Sequence, residues 1–225
     1  MRRFVYAVMH DVNGNVLIAR KNVRGYFFGP THTKPAGVIK HGQPLNGGGM
    51  MALPGGGLQP GESILTGAAR EFWEETGTLI PNHAVTHVMD FVPDNNDPDD
   101  EYAAGFFQVS LAELMTAESR IEHFRLWPGF AAAQQVQVGA ITQYHQIHQR
   151  YADAPIDNEL DHVIVWNLAD PHIRAHVATW RNQPPLDWFF EILDFLSFNL
   201  GLGPLVVVGD DRRVTADDED LVSVN

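Results

Sequence analysis

Residues 55–80 read GGGLQPGESILTGAAREFWEETGTLI and hold the chain's densest set of chemically useful side chains. Glu71, Glu74 and Glu75 stand at i, i+3 and i+4, so a helix here puts three carboxylates on one face. Like charges at that spacing cost about 0.2–0.5 kcal/mol per pair. They also sit near the helix C-terminus, where the macrodipole disfavours negative charge. Something positive has to offset this. Arg70, adjacent in the chain, supplies one charge; a divalent cation supplies more. Oxygen-only ligands favour hard Mg²⁺ or Mn²⁺ over zinc, and Mg²⁺ completes its shell with waters and phosphate oxygens. The chemistry implied is metal-assisted attack of water on phosphorus. A solvated acidic helix after a flexible glycine loop is the competing account of the same residues.

The surrounding elements must position that helix. Ile64, Leu65, Ala68, Ala69 and Phe72 recur at helical spacing, and Gly77 stops the helix. A short strand, 51–53, leads into Pro54-Gly55-Gly56-Gly57. Upstream, residues 3–9 and 16–19 read as two strands joined at Asn13-Gly14, a hairpin. Residues 22–50 carry many glycines and few apolar runs, which predicts a long loop. Residues 84–92 and 102–110 read as strands around an acidic turn, 94–101. A helix is predicted over Leu111–Arg125, another over 131–151, a strand over 162–166 and a short helix over 171–181. Pro184-Pro185 opens a final unit. Residues 186–200 form a helix with a wide apolar arc, read as a core helix; a homodimer surface is the sharper alternative. The tail, with Asp210, Asp211 and residues 217–220, reads as solvated. With no internal repeat or low-complexity linker, the reading is one domain over 1–225, with a loop or insert at about 22–50 and a helical C-terminal extension at about 184–225.

Composition narrows the function. Of 225 residues, 15 are Lys or Arg and 28 are Asp or Glu, a net charge of −13. A surface this acidic repels polyanions, which argues against nucleic acid as a partner. A small phosphate ester remains compatible if a cation mediates. There is no cysteine, so disulfides, thiol nucleophiles and Cys-ligated metals are excluded. No run approaches the ~20 apolar residues of a membrane span, and the N-terminal apolar stretch is too short for a secretory signal. The expectation is a soluble, cytoplasmic protein without a membrane partner.

The carboxylate segment resembles the Nudix box, Gly-x5-Glu-x7-Arg-Glu-apolar-x-Glu-Glu-x-Gly-apolar. Gly56, Glu62, Arg70, Glu71, Phe72, Glu74, Glu75 and Gly77 fall in register, and only Thr78 departs, where an aliphatic residue is usual. Seven fixed identities arise by chance at roughly 10⁻⁸ per starting position. The resemblance implies an α/β fold of the Nudix type, an αβα sandwich with a mixed sheet. It implies that Glu71, Glu74 and Glu75 bind metal, that the Gly55 carbonyl is a further ligand, and that Glu62 and Arg70 orient helix and loop beside Gly56. It implies a hydrolase cleaving a phosphoanhydride bond in a nucleoside diphosphate linked to another group. Nucleoside triphosphate pyrophosphohydrolysis, or a nucleotide-binding regulator with little turnover, are the alternatives.

Family members also draw a carboxylate from a distant loop, as general base or extra ligand. Glu159 is the favoured candidate, ahead of Asp161, Glu101 and the 94–100 loop; a plain surface carboxylate competes with each. Arg20, Lys21, Arg24, Lys34 and Lys40 are candidates for phosphate. Tyr26, Phe27 and Phe28 could stack on a base or be buried. His145/His148 and His172/His176 have same-face helical spacing but no accompanying carboxylate set, so scattered surface histidines are the favoured reading. Pro93 follows Thr78 by fifteen residues, a spacing that within the family resembles ADP-ribose pyrophosphatases. A turn-forming proline also explains it, so the expectation leans only slightly toward an ADP-ribose-like substrate.

Overall fold

A computed structural model describes residues 1–94 and 97–205 of the chain. The first strand, β1 (Arg2–His10), is apolar on both faces, and such a strand belongs in the middle of a sheet. Val5, Ala7 and Met9 pack to one side, Tyr6 and Val8 to the other. Around it lie β2 (Asn15–Lys21), β5 (Met51–Ala52), β6 (Gly55–Gly57), β7 (Val85–Pro93), β8 (Asp100–Gln108) and β9 (Leu160–Asn167). The sheet path is β5-β2-β1-β8-β7, with β6 also on β1 and β9 on β2. The β1–β8 pair is parallel and the others are antiparallel, so the sheet is mixed.

Helices cover both faces. Helices α1 (Ile64–Thr76) and α2 (Leu111–Ile121) bury Ala68, Phe72, Leu114 and Ile121 against the Val5 side. On the Tyr6 side, α5 (Pro171–Ala178) and α6 (Asp187–Asn199) bury Val177, Phe189, Ile192, Leu193 and Leu196. This is the expected αβα sandwich. The apolar arc of α6 therefore turns inward, as a core helix should. Phe198 stays outside, 68% exposed.

Three expectations need correction. Residues 22–50 are not one loop: β3 (Arg24–Phe28) and β4 (Gly37–Pro44) pair as an antiparallel hairpin. Phe27 is fully buried there with Ala132, Val136 and Ile147, so burial rather than base stacking accounts for it. The 111–125 helix ends at Ile121 and continues as a π-helical turn, Glu122–Leu126, into α3 (Trp127–Gln137). The next predicted helix, 131–151, is broken. Gly139, at φ +77°, ends α3, and the chain resumes as α4 (His145–Arg150). The π turn has a visible partner: the Glu122 carboxylate accepts the Val163 N–H at 3.0 Å, and Glu118 accepts the Val165 N–H at 3.0 Å. The outer edge of β9 is thus covered by side chains instead of another strand. The solvated tail and residues 95 and 96 of the acidic turn lie outside the described residues. Among the described residues, no helix is long and apolar enough to cross a membrane.

The predicted hairpin of β1 and β2 closes at one point only, His10↔Val16. Beyond it the strands diverge. In the gap, β6 takes β1 (Phe4↔Gly57, Tyr6↔Gly55) and β5 takes β2 (Ala19↔Ala52). Residues 51–57 thereby lead the chain from the wedge between the two strands into the carboxylate helix.

At the closed end, His10 is fully buried and its ring lies 5.7 Å from that of His87, which stacks on Phe106 at 4.4 Å. His10 Nδ1 donates to the Asp11 carbonyl, and both Nε2 atoms are buried without a partner. Burial lowers both histidine pKa values, so the folded chain keeps the rings neutral while the unfolded chain takes up protons below about pH 6.5. Stability contributed by neutral rings is therefore lost as pH falls through that range. We expect thermal unfolding between pH 7.5 and 5.5 to show a larger acid-side drop in the wild type than in His87→Phe, by about 2–4 °C. Equal drops would show that the rings titrate freely.

Candidate active site

Helix α1 begins at Ser63, whose hydroxyl accepts the Thr66 N–H at 3.2 Å. It ends where Gly77, at φ +65°, donates its N–H to the Trp73 carbonyl. Its inward face is built from Ala68, Glu71, Phe72 and Glu75, at i, i+3, i+4 and i+7. Two of the three glutamates therefore point into the protein on an otherwise apolar face. Glu75 is 2% exposed and Glu71 is 8% exposed.

Arg70 balances this arrangement. Its guanidinium takes Glu62 through both oxygens, at 2.8 and 3.0 Å, Glu71 at 2.7 Å and Glu74 at 3.0 Å. It also donates to the Gly57 carbonyl at 2.9 Å, which fastens the glycine loop to the helix. The exposed end of the loop is tied through Glu62, which accepts the Gln59 N–H at 3.0 Å. The Arg70 hydrogen bond holds the Glu62 carboxyl below the ordinary range. Burial raises the other three: Glu71 to about 7 against the pull of Arg70, Glu74 more modestly, and Glu75 well up, with Glu159 adding to it and Lys21 opposing.

Glycine is required where the loop meets the carboxylates. A Cβ on Gly56 would stand 2.6 Å from Glu71 Oε2, and one on Gly55 would stand 2.4 Å from the Val5 carbonyl of the paired strand. Past the helix, Thr78 occupies the buried position and Leu79 is 75% exposed. The departure from the motif thus leaves a threonine, its hydroxyl without a partner, in an inward slot.

The strand β9 enters beside the cluster. Its pairing with β2 shifts register between Arg20 and Lys21, so Lys21 stands opposite Leu160 and Arg20 opposite His162. The shift sends neighbouring pairs to opposite sides. Arg20 and Asp161 pair at 2.7 Å away from the cluster, whereas Lys21 and Glu159 pair at 3.2 Å with Glu75 and Glu71 both acting on the lysine. Glu159 exerts the largest charge effect on Glu75. Of the carboxylates weighed from sequence, Glu159 joins the box glutamates. Glu101 is taken by Arg3 at 2.9 Å, and Asp97 and Asp100 by Arg2 at 2.8 and 2.6 Å.

Sequence reading missed Asp157. Its N–H donates to the Glu74 carbonyl at 3.0 Å, its carboxylate accepts the Gly29 N–H, and burial raises its pKa to about 7. The only signal was its parity with Glu159, which Asp161 shares. The histidine pairs are not brought to the site. His148 contacts the Tyr144 hydroxyl, and His176 packs between Trp166 and Trp180. Arg24 donates to the carbonyls of His41 and Gly42 within its own hairpin.

Among the described residues, no three His, Asp or Glu side chains converge closely enough to hold a cation as they stand. Arg70 draws Glu71 and Glu74 toward itself instead. The donor chemistry nevertheless fits one: the ligands are oxygen only, and Glu75 Oε2 is buried without a hydrogen-bond partner.

A family model for the NUDIX domain matches residues 2–151. The chain therefore belongs to the Nudix family. Members of that family use divalent metals and act on small nucleotides. No curated protein matches the chain. Among solved structures, it is similar to a MutT protein from Methanosarcina mazei, at 24% identity over 48% of this chain and 62% of that one, TM-score 0.30. A NUDIX hydrolase from Nitrosomonas europaea is similar at 16% identity over 91% and 93%, TM-score 0.42. A bifunctional NMN adenylyltransferase/ADP ribose pyrophosphatase from Francisella tularensis is similar at 22% identity over 48% and 27%, TM-score 0.30. The chain thus spans less than two thirds of the first and third of these proteins.

The contact between Gly56 and Glu71 makes a sharp expectation. Gly56→Ala should cost about 1–3 kcal/mol in urea unfolding, because the added carbon must displace a buried carboxylate. Gly57→Ala, where the same carbon meets nothing within 4 Å, should change stability little. Equal effects would remove the close-approach argument.

Proposed function

We propose that the chain hydrolyses a phosphoanhydride bond in a nucleoside diphosphate linked to another group. The observation that carries this reading is the inward placement of Glu71 and Glu75 on α1, with Glu75 Oε2 unpartnered and Lys21 and Glu159 facing it. Glu71, Glu74 and Glu75, with the Gly55 carbonyl, are the residues that would hold Mg²⁺ or Mn²⁺. The cation, when bound, neutralises phosphate charge and makes water a better nucleophile at neutral pH.

The chain's own residues supply the rest. For Glu71 and Glu74 to serve as ligands, they must exchange the Arg70 guanidinium for the cation, while Glu62 keeps Arg70 in place through its two-oxygen grip. Glu159 accepts the proton from the attacking water, and its ion pair with Lys21 at 3.2 Å holds that carboxylate in place beside the cluster. Asp157 anchors the Glu159 segment to the end of α1 through its bond to the Glu74 carbonyl. Lys21 is also the cation best placed to meet a substrate phosphate, since Arg20 is turned away on Asp161.

An ADP-ribose-like substrate is the finer reading, resting on the position of Pro93. That residue closes β7 opposite Glu101, so a strand-ending role accounts for it as well.

The test is product release with Mg²⁺ from ADP-ribose, nucleotide sugars, dinucleoside polyphosphates, NADH and nucleoside triphosphates. Glu75→Gln should keep the fold and lower turnover by more than about 100-fold, beyond the effect of a group one step removed from a metal. Glu159→Gln should lower kcat by about 10²–10⁴-fold, the range of a lost general base. Full activity in Glu75→Gln, or no turnover of any compound by the wild type, would refute the proposal.

A further inference from the structure

Helix α6 lies beyond the segment that the family model matches, yet it reaches the mouth of the wedge between β1 and β2. There a pocket of about 420 Å³ is lined by Phe4, Tyr6, Lys21, Met51, Trp188 and Phe189, among others. The volume lies within the range of small-molecule sites. Its walls are aromatic: Tyr6 lies 6.2 Å from the Trp188 ring at an interplanar angle of 24°, and 5.1 Å from Phe189 edge-on. Lys21 lines this pocket and is ion-paired with Glu159 beside the carboxylate cluster, so the pocket and the site described above share that residue.

The charges sort what can enter. Asp94, Asp97 and Asp100 also line it, and Arg2 is already paired with the last two. A phosphate is repelled by these aspartates and drawn toward Lys21. A flat, neutral group suits the aromatic walls. The Trp188 Nε1–H is buried and has no acceptor among the described residues, a state that costs about 1–3 kcal/mol unless something pairs with it.

We propose that this pocket seats the nucleobase of the substrate, with the Trp188 indole as its wall and as a donor to a base acceptor. The C-terminal helix then determines specificity for a reaction whose chemistry resides on α1. This inference rests on the nucleoside diphosphate reading above. Trp188 is a specificity-determining residue here, and its side chain has no part in bond cleavage.

Calorimetric titration of the full chain in Mg²⁺ buffer with AMP, GMP, CMP and UMP, and separately with inorganic pyrophosphate, tests it without requiring turnover. At least one nucleotide should bind the wild type. Trp188→Leu should weaken that nucleotide about ten-fold or more and leave pyrophosphate within about two-fold, as loss of a stacking platform predicts. Trp188→Phe, which keeps a ring but lacks the N–H, should fall between, and it carries the test alone if the leucine variant does not fold. Parallel weakening of nucleotide and pyrophosphate would mark Trp188 as merely structural and overturn the proposal. So would unchanged affinity in both variants, no nucleotide binding to the wild type, or ribose 5-phosphate binding as tightly as the best nucleotide. Base-selective binding lost in Trp188→Leu, together with no hydrolysis of any compound, would instead sink the hydrolase reading and leave the pocket standing.

Discussion

A carboxylate taken out of water must share its burial with a donor or a cation, and α1 places two of them on its inward face. Much of the surrounding architecture answers that constraint. Arg70 gathers Glu62, Glu71 and Glu74 onto one guanidinium and ties the glycine loop to the helix through the Gly57 carbonyl. Lys21 approaches from β2 and offsets part of the charge around Glu75. What remains is an unpartnered Glu75 oxygen and three carboxyl groups raised by burial. Such a surplus of buried acid is costly as it stands, and a hard cation, as proposed above, would relieve it. On that proposal, a cation is what would let a chain with a net charge of −13 attract a phosphate ester.

The second determinant is the divergence of β1 and β2. A hairpin paired along its length would leave no room between its strands. Here one register contact at His10 and Val16 is followed by a wedge, and β5 and the all-glycine β6 occupy it with short pairings. Gly55 and Gly56 permit this because a side chain on either would strike the neighbouring strand or Glu71. The wedge delivers the chain to the start of α1. It also leaves Tyr6 and Lys21 at a mouth where groups from both faces of the sheet can meet.

Those faces differ in function. The α1–α2 face carries the carboxylates, while the α5–α6 face is a packed aromatic and aliphatic layer that includes Trp180, Phe189 and Phe190. At the mouth of the wedge, one pocket touches both Trp188 of the second face and Lys21, which pairs with Glu159. The β3–β4 hairpin forms a third unit with α3 and α4. Through Gly29 and Tyr26 it holds Asp157 and Asn158, and so fixes the approach of Glu159.

Much of this was legible in the sequence because it is local. Helical spacing places Glu71, Glu74 and Glu75 on one helix, Gly77 must end it, and the register of Gly56, Glu62 and Arg70 against them marks the family. The strand order 3–9, 84–92, 102–110 and 162–166 is also legible, since alternation and apolar runs are short-range properties. The hairpin at 24–44 was not, because its strands are short, interrupted by Gly25, Gly37 and Gly42, and held by Phe27 packing against a helix a hundred residues away. The inward-facing partner from β9 was likewise beyond sequence. Asp157, Glu159 and Asp161 share a parity, and only the register shift opposite Arg20 and Lys21 sends Glu159 toward Glu75 and Asp161 away. Charge type and spacing are written in the chain. Which charges face one another is decided by long-range pairing, where a slip of one residue turns a side chain to the other face of the sheet.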